Sequence, residues 1–343
     1  MKNLIGVILG DPNLQDKVKL NGKFSEEDKE VIKTLKRALN LIKEYKFRYY
    51  DNHKDLIDDL VFDSRDINLA LNLCDEGYFN NPEQEAVIPV ILENIVKIPY
   101  SGASFRCLVK CYKKSDIKRI AKEEGIKINN FMVIRNEDSI ALPSFKYPVF
   151  IKPDEGDGSI GINENSMVEH TEDYYKQINW LRQRLMQLNH KSDILVEEYL
   201  PGKEITAAII GNKSSLEIRL IQEDFSNING LNFQIYNGKW NPKSEQWNKG
   251  KSIKPTIPRK AQNLIKEASA YLFNLLECRD YARFDWRLDN EGNPNLMETN
   301  PNCGWCWDGH LVKAFSLEKG FSQENYASIL NKIIKAAEKR YYK

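Results

Sequence analysis

The sequence lacks a strong excess of charge of either sign, and it lacks a long apolar run. Its 50 Lys and Arg residues nearly balance 49 Asp and Glu residues, for a formal net charge of +1. A balanced chain has no general electrostatic attraction to nucleic acid or to an anionic membrane. No apolar stretch reaches the length of a membrane span. We therefore expect small-molecule partners, and neither nucleic acid nor membrane.

The start of the chain does not fit the pattern of a signal peptide. Residues 4–9 are apolar, but they lead into Asp11-Pro12 without a small-residue cleavage site. This pattern favours a first buried strand over a signal peptide, so we expect a cytoplasmic protein. The sequence leaves the oligomeric state open, and a homodimer is compatible with it.

Cysteine is scarce, with six residues in 343. Cys303 and Cys306 form a CxxC motif with His310 four residues further on, and Cys107 and Cys111 are spaced by four. Such spacings fit either a zinc site or a redox motif. The two pairs lie far apart in the sequence, however, so we favour reduced thiols.

The order of predicted elements indicates an α/β domain followed by α+β structure. Residues 3–9 and 68–74 read as strands, residues 25–45 as a helix with Ser25 at its N-cap, and Pro82 opens a helix that runs through Ile95. Alternating strands and helices predict a parallel, three-layer domain over residues 1–98. The later elements predict antiparallel sheets in two further domains, residues 99–192 and 193–343. Their predicted elements are helices 115–124, 171–188, 258–276 and 323–338, strands 147–152 and 194–199, and a hairpin of 204–210 with 216–221.

The most informative segment is residues 281–301, in which two strand-like runs flank a turn at residues 289–292. Side chains of a strand alternate between its faces, so Arg283, Asp285 and Arg287 share one face of the first run. Glu298 and Asn300 share one face of the second. If the hairpin register joins these faces, three oxygen ligands meet beside an arginine, which suits Mg²⁺. The alternative is a solvated outer face of an antiparallel hairpin.

A glycine-rich loop lies at residues 152–161, where Gly156, Gly158 and Gly161 have the spacing of a dinucleotide-binding turn. A Rossmann turn leads directly into a helix, whereas here the next helix begins only near Thr171. We therefore reject the Rossmann interpretation. Backbone N–H groups of such a loop still suit phosphates, and Lys152 and Ser159 add a charge and a hydroxyl. The alternative is a flexible hairpin tip.

Taken in order, these segments resemble the ATP-grasp ligases, and within them the D-alanine–D-alanine ligase-like group. The shared features are the strand with Lys152 and its Gly-Ser loop, the segment 196–204, and the final pattern Arg283-x-Asp285 with Glu298-x-Asn300-Pro301. The similarity covers nearly the whole chain. It implies a three-domain ATP-grasp architecture: a parallel α/β N-terminal domain, a small central α+β domain, and a larger C-terminal domain with an antiparallel sheet.

The resemblance also implies roles for individual residues. ATP would be bound through Lys114, Lys152, Glu197, Glu198, Tyr199, Leu200 and Glu204. Two Mg²⁺ ions, with Mn²⁺ as an alternative, would be held by Asp285, Glu298 and Asn300. Ser159 would belong to a loop that closes over the phosphates, Lys239 to a lid over the substrates, and Arg283 would stabilise the developing negative charge. In this family a carboxylate attacks the γ-phosphate, and an amine then displaces phosphate from the acylphosphate.

The positions expected to contact the substrates depart from the family pattern. Gln15 replaces a glutamate, Gly158 a serine, Trp240 a tyrosine after Lys239, and Asp308 a small hydroxyl residue near Gly304. A carboxylate at position 308 would repel a substrate carboxylate unless Arg283 pairs with it. The sharper expectation is that Asp308 holds a cationic group of the incoming amine.

We therefore expect an ATP-dependent carbon–nitrogen ligase that joins a small-molecule carboxylate and an amine, an amino acid or peptide, with substrates other than two D-alanines. The alternatives are a D-alanine–D-alanine ligase of cell-wall synthesis and a non-catalytic nucleotide-binding protein. The unchanged residues at the expected nucleotide and metal positions argue against the last.

Overall fold

The computed structural model describes residues 3–16, 18–228 and 230–342. Within them the chain forms three β-sheets flanked by helices. The strands are β1 Asn3–Ile8, β2 Tyr45–Tyr50, β3 Ile67–Asn72, β4 Phe131–Ile134, β5 Val149–Pro153, β6 Met167–Val168, β7 Ile194–Glu198, β8 Glu204–Asn212, β9 Ser215–Asp224, β10 Lys251–Ile253, β11 Tyr281–Leu288 and β12 Pro294–Asn300. The helices are α1 Glu26–Leu41, α2 Leu56–Asp63, α3 Val87–Val90, α4 Phe105–Cys111, α5 Lys114–Glu123, α6 Thr171–Gln187, α7 Tyr236–Trp240, α8 Glu245–Lys249, α9 Arg259–Leu275, α10 His310–Ser316 and α11 Gln323–Tyr342.

The first sheet is parallel, with the strand order β2-β1-β3. Residues of α1 and α11 pack against one face of the sheet, and α2 and the helical turns after α3 pack against the other. The predicted parallel, three-layer arrangement is thus confirmed. Ser25 caps α1 in a reciprocal capping box with Asp28, which satisfies two free N–H groups at the helix start.

Two predicted helices of this first region need correction. The first ends at Leu41, and Tyr45 already begins β2, whose buried ends are tyrosines. The expected helix from Pro82 through Ile95 is instead a 3₁₀ turn over Pro82–Gln84, the short α3, and a π-helical turn over Ile91–Val96. Pro89 lies inside this segment and has no N–H to donate, so a regular α-helical hydrogen-bond ladder is interrupted there.

The other two sheets are antiparallel, as predicted. The second has the order β4-β7-β5-β6 and is backed by α6, and the third has the order β10-β9-β8-β11-β12. α9 packs on one face of the third sheet, where Ile205, Ala207 and Ile209 are fully buried. Because β7 pairs with β4 and β5, the second sheet extends past residue 193, and the chain changes sheets between Glu198 and Glu204.

The arrangement leaves a cleft between the second and third sheets, over the face of β11 that is turned away from α9. None of the helices in the described part of the chain is long and apolar enough to cross a membrane.

Candidate active site

The β11–β12 hairpin brings the expected metal ligands together. Arg283 pairs with Asn300, and Asp285 pairs with Glu298 in the antiparallel register. The register then shifts, and Met297 is the extra residue of a β-bulge. A bulge breaks the strict alternation of side chains, so Met297 and Glu298 both line the cleft. The register of the hairpin therefore brings the two faces together, as predicted from the sequence.

Asp285 is held in a fixed orientation. Its Oδ1 accepts a hydrogen bond from Thr206 Oγ1 at 2.7 Å, and its Oδ2 lies 3.0 Å from Arg283 Nε. Burial raises the pKa of this carboxyl; Arg283 opposes the rise, and the charge of Glu298 adds to it. The pair of carboxylates thus concentrates negative charge that a cation would offset.

The pKa of Glu298 is shifted in the opposite direction to that of Asp285. Burial acts to raise its pKa, but Lys114, Lys152 and Arg283 outweigh burial and lower it. Glu298 is therefore ionised at neutral pH. Two carboxylates and the Asn300 amide oxygen are a donor set suited to Mg²⁺, which normally completes its coordination with water and phosphate oxygens. In residues 3–16, 18–228 and 230–342, no group of three or more His, Cys, Asp and Glu side chains is arranged to hold a metal alone.

Lys152 owes its position to a buried ion-pair network. Glu197 is fully buried, and its two oxygens lie 2.7 Å from Lys118 Nζ and 2.7 Å from Lys152 Nζ. Burial alone would raise the pKa of Glu197, but the two lysines lower it to about 2. The Glu197 side chain therefore anchors Lys152 and does not face the cleft. Lys118, which also bonds Asn129 Oδ1 at 2.6 Å, was not singled out from the sequence.

The glycine-rich loop forms one wall of the cleft together with Lys114. The Nζ of Lys114 donates a hydrogen bond to the Gly156 carbonyl, and the backbone of Ser159 lies in the left-handed region with φ +59°. A non-glycine residue in that region carries strain and often marks a segment that moves. Lys114, Lys152 and Ser159 all line the same cleft.

The deeper part of the cleft is apolar and aromatic. Phe150 and Phe233 meet edge to face with centroids 4.9 Å apart, and Tyr199 stacks on Phe150 at 6.4 Å. Met297 and the segment Glu198–Leu200 complete this part. Flat, apolar walls beside exposed backbone suit a heteroaromatic base. Phe150 lies two residues before Lys152 on the same strand face, a signal that sequence reasoning had available and missed.

Arg287 connects the aromatic end of the cleft to the sheet and was also missed as a site residue. Its side chain is buried, donates to the Leu200 carbonyl at 2.6 Å, and pairs with Glu204 at 3.0 Å. Its guanidinium lies 5.3 Å from the Tyr199 ring centroid. Arg287 therefore fixes both the Tyr199–Leu200 backbone and the Glu204 carboxylate, which lines the cleft.

The segment α7 contacts the glycine-rich loop and the loop that precedes α1. Trp240 Nε1 donates to the Gly158 carbonyl at 2.8 Å, and Tyr236 Oη donates to the Val18 carbonyl at 2.8 Å. A Cβ on Gly158 would stand 2.8 Å from Val18 Cγ1, and its φ is +71°. Glycine at 158 therefore permits this contact, whereas a serine there would require Val18 to move. Lys239 is half-buried with Arg283 nearby, and burial and the charge of Arg283 lower its pKa.

Arg283 is oriented by a histidine that sequence reasoning left unassigned. Arg283 Nη1 donates to His310 Nδ1 at 3.3 Å, and His310 Nε2 lies 3.3 Å from Glu223 Oε1. Burial, with the charges of Arg283 and Lys313, lowers the pKa of His310 well below its ordinary value. The imidazole is therefore neutral, accepts from Arg283 and donates to Glu223. Burial raises the pKa of Glu223 to about 7.

The residues expected at the substrate end are less tightly grouped. Gly304 lies against Asp75, because a Cβ on Gly304 would stand 2.9 Å from Asp75 Oδ2. Gln15 is exposed, whereas its neighbour Asp16 is buried and its Oδ2 has no hydrogen-bond partner among the described residues. The charges that act most strongly on Asp308 are those of Lys313 and Asp28.

Arg283 pairs with Asp285. Within the described residues Asp308 forms no ion pair, so the alternative of an Arg283–Asp308 ion pair is not observed.

The cysteines are free thiols. Cys303 is buried, and burial is the main cause that raises its pKa to about 12. Cys107 and Cys278 lie with their sulfur atoms 3.8 Å apart, away from Cys303 and Cys306. Cys303 and Cys306 lie in the irregular segment after β12.

Comparison with known proteins agrees with this geometry. The model of the family described as D-ala D-ala ligase C-terminus matches residues 120–335. The chain belongs to this family. The D-alanine–D-alanine ligase A of Bacillus cereus is 25% identical to it over 292 residues, which span 82% of this chain and 84% of that protein. The uncharacterized protein y4sG of Sinorhizobium fredii is 26% identical over 255 residues, or 74% of this chain and 70% of that protein.

Solved structures give the same fold. The D-alanine–D-alanine ligase from Bacillus anthracis complexed with ATP matches with a TM-score of 0.70 and 20% identity, over 98% of both chains. The VanG D-Ala:D-Ser ligase from Enterococcus faecalis matches with a TM-score of 0.68 and 18% identity, over 98% of this chain and all of that one. The ATP-grasp fold and the membership of the D-alanine–D-alanine ligase-like group, both expected from the sequence, are confirmed.

Proposed function

We propose that this member of the D-alanine–D-alanine ligase family is an ATP- and Mg²⁺-dependent carboxylate–amine ligase whose substrates are not two D-alanines. The observation that carries the proposal is the convergence on one cleft of the Asp285–Glu298 pair, Lys152, the glycine-rich loop and an aromatic end. Phosphoryl transfer depends mainly on positioning and charge neutralisation, and these are the groups that supply both.

Each group has a place along a bound nucleotide. The adenine would lie between Phe150, Phe233 and Met297, with its polar edge toward the backbone of Glu198–Leu200. Glu204, held by Arg287, would accept the ribose hydroxyls. Lys114 and Lys152 would neutralise the phosphates, under the amides near Ser159. Asp285, Glu298 and Asn300 would hold Mg²⁺, which when bound neutralises the charge on the phosphate oxygens.

The chemistry follows in two balanced steps. A substrate carboxylate oxygen attacks the γ-phosphorus, and the bond between the γ-phosphorus and the β-phosphate oxygen breaks. The products of this step are ADP and an acylphosphate. An amine then attacks the acyl carbon, loses a proton, and expels inorganic phosphate as the amide forms. Arg283, fixed by Asp285 and His310, would stabilise the oxyanion of the second step. Lys239 and the closed α7 would exclude water, which would otherwise hydrolyse the acylphosphate.

The substrate end supports a departure from two D-alanines. Gln15 is exposed, Gly158 touches Val18, and a carboxylate from Asp75 stands beside Gly304. Burial and the charge of Glu76 raise the pKa of Asp75, so this acidic side chain offers no positive charge to a second substrate with a free α-carboxylate. Other substrates are known among the relatives, since VanG is described as a D-Ala:D-Ser ligase. We therefore propose Gln15, Trp240, Gly304 and Asp308 as the surroundings of substrates of a different kind.

The test is a screen of ATP turnover with amino acids, dipeptides and simple amines, with mass detection of the products. We expect ADP, phosphate and an amide product that is not D-alanyl-D-alanine. Efficient formation of D-alanyl-D-alanine would show a cell-wall ligase instead. ATP binding without turnover over the whole panel would show a nucleotide-binding protein that is not an enzyme.

A further inference from the structure

The amine that expels phosphate must first lose a proton. Amino groups are mostly ammonium ions at neutral pH, and an ammonium ion has no lone pair with which to attack the acyl carbon. The group that removes the proton must lie beside Arg283, which would stabilise the oxyanion formed at that carbon. A base that is neutral in the folded protein and partly open to solvent meets these requirements.

His310 has this position and this charge. It is the first residue of α10, and its Nδ1 lies 3.3 Å from Arg283 Nη1. Its side chain is 25% exposed, so a substrate can reach the ring. Burial lowers the pKa of His310 well below its ordinary value, and the charges of Arg283, Lys313 and Lys239 add to the effect. The imidazole is therefore neutral and keeps one nitrogen with a lone pair.

Three other groups near Arg283 are unsuited to accept the proton. Asp285 and Glu298 would be occupied by Mg²⁺ in the proposed function. Burial is the main cause that raises the pKa of Cys303 to about 12, so its thiol already carries a proton at neutral pH. His310 is therefore the neutral base that the fold places beside the oxyanion-stabilising arginine.

Glu223 lies behind the histidine and fixes its tautomer. His310 Nε2 lies 3.3 Å from Glu223 Oε1, and Ser252 Oγ donates to the same oxygen at 2.8 Å. The Glu223 side chain is only 8% exposed. A carboxylate on one side of an imidazole keeps the proton on the facing nitrogen. The lone pair of His310 is thereby left on Nδ1, the nitrogen that faces Arg283.

The surroundings of Glu223 also suit it to receive a proton. Burial is the main cause that raises its pKa to about 7. The charges of Glu204 on β8 and Asp285 on β11 add to the rise, whereas the Ser252 hydrogen bond and Lys313 of α10 oppose it. A carboxyl group with such a pKa both takes up and releases a proton readily at neutral pH.

We propose that His310 removes a proton from the ammonium of the incoming amine and passes a proton on to Glu223. The ammonium N–H bond breaks as its proton binds His310 Nδ1, and the Nε2 proton moves to Glu223 Oε1. The imidazole is neutral before and after the transfer, the ammonium becomes an amine with a lone pair, and the carboxylate becomes a carboxylic acid. Arg283 would turn from Nδ1 to the oxyanion in the same step.

The relay resets after the product leaves. Nδ1 releases its proton to water in the open cleft, and Glu223 returns its proton to Nε2. The inference rests on the proposed ligase function and adds a proton acceptor to its second step.

Hydroxylamine separates proton removal from the earlier chemistry. It is uncharged at neutral pH and traps an acylphosphate as a hydroxamate, whereas an amino acid must first lose a proton. The full chain is incubated with MgATP and a pool of amino acids and dipeptides, with and without hydroxylamine. Hydroxamate and amide products are measured by mass. Asparagine at position 310 can still accept the Arg283 hydrogen bond but cannot take up a proton, so His310→Asn is the decisive variant.

We expect His310→Asn to lower amide formation by about 100-fold or more and to leave hydroxamate formation within about twofold of the parent. Unchanged hydroxamate formation also shows that the variant is folded. Raising the pH should partly restore the amide, because more of the amine is then neutral in solution. Glu223→Gln should lower amide formation by about tenfold or more. His170→Asn, at the exposed residue before α6, is the matched control and should change neither product.

A parallel loss of hydroxamate and amide in His310→Asn would overturn the inference, because the histidine would then serve only to hold Arg283. Amide formation equal to the parent in His310→Asn or in Glu223→Gln would overturn it as well, and so would an amide rate in His310→Asn that does not recover at high pH. Failure of the proposed function gives a different result: the parent itself would form no hydroxamate, which would remove the function and the inference together.

Discussion

Asp285 lies directly opposite Glu298 across the β11–β12 hairpin, and the bulge at Met297 begins at the next step of the ladder. Thr206 and Arg283 hold Asp285, whereas Glu298 faces Lys114 and Lys152 across the cleft. The two carboxylates therefore share one space but have different surroundings. This is the arrangement expected for acids that hold cations between a sheet and a polyphosphate.

The first prediction concerns Glu298. Glu298→Gln should reduce ATP turnover by roughly 100-fold or more, since metal ions contribute several kcal/mol of charge stabilisation and each ~1.4 kcal/mol is tenfold. Turnover and Mg²⁺ dependence are measured together. Glu291→Gln, in the exposed turn of the same hairpin, is the control and should retain parental activity. Equal activity of Glu298→Gln and the parent would contradict the metal assignment.

The second prediction concerns the lid. Trp240→Phe removes the indole N–H that bonds the Gly158 carbonyl, which should weaken closure by about 1 kcal/mol, or roughly fivefold. Hydrogen exchange of residues 155–162 should be fast without nucleotide, slow with ATP, and faster in this variant. Trp247→Phe, on the neighbouring α8, is the matched control. Equal protection of the loop with and without ATP would argue against a lid.

The third prediction concerns the buried network beneath Lys152. Glu197→Gln leaves Lys118 and Lys152 as unpaired buried charges, which should lower the free energy of unfolding by about 3–5 kcal/mol. Lys249→Met, which breaks the exposed Glu245–Lys249 pair, should change it by less than ~1 kcal/mol. Denaturant titration measures both. A Glu197→Gln protein as stable as the parent would show that the lysines do not depend on this carboxylate.

The meeting of Asp285 and Glu298 was predictable from the sequence, because it depends on two strands that are adjacent in the chain. Alternation along two short strands puts Asp285 and Glu298 on one face once the turn between them is recognised. The bulge at Met297 was not predictable, because a single inserted residue leaves no periodic signal. Lys118 was missed for a different reason: its partner Glu197 lies on another strand, and only the tertiary fold brings them together.

The substrate side was less predictable. That Asp308 holds a cationic group of the incoming amine stays a prediction, whereas Glu85 and Asp157, which line a small cavity beside Asn300, were not singled out as site residues. Both lie in loops and irregular turns, where side chains follow neither the two-residue period of a strand nor the 3.6-residue period of a helix. The sequence therefore carries no periodic signal for their positions. The break in the helix after Pro82 is part of the same problem, since it helps to determine where Glu85 lies.

The fourth prediction is a pH dependence of stability. The pKa of Glu223 is about 7 in the folded state, above its ordinary value, so the folded protein holds this proton more tightly than the unfolded chain. This proton contributes up to ~3 kcal/mol to the free energy of unfolding at about pH 4, and the contribution is lost as the pH rises through 7. Glu223→Gln should flatten the fall in Tm between pH 5 and 8. The exposed Glu245→Gln should leave that slope unchanged, and an unchanged slope in Glu223→Gln would remove Glu223 as its source.

The central claim is that a substrate carboxylate is activated by the γ-phosphoryl group, and oxygen transfer tests it most directly. A pool of amino acids and dipeptides with ¹⁸O-labelled carboxylates is incubated with the protein, MgATP and an amine, and the released phosphate is analysed by mass. An acylphosphate keeps one carboxylate oxygen on phosphorus when the amine displaces it. The account predicts phosphate that carries one ¹⁸O, with ADP as the other product. Unlabelled phosphate, or label found in AMP, would contradict it.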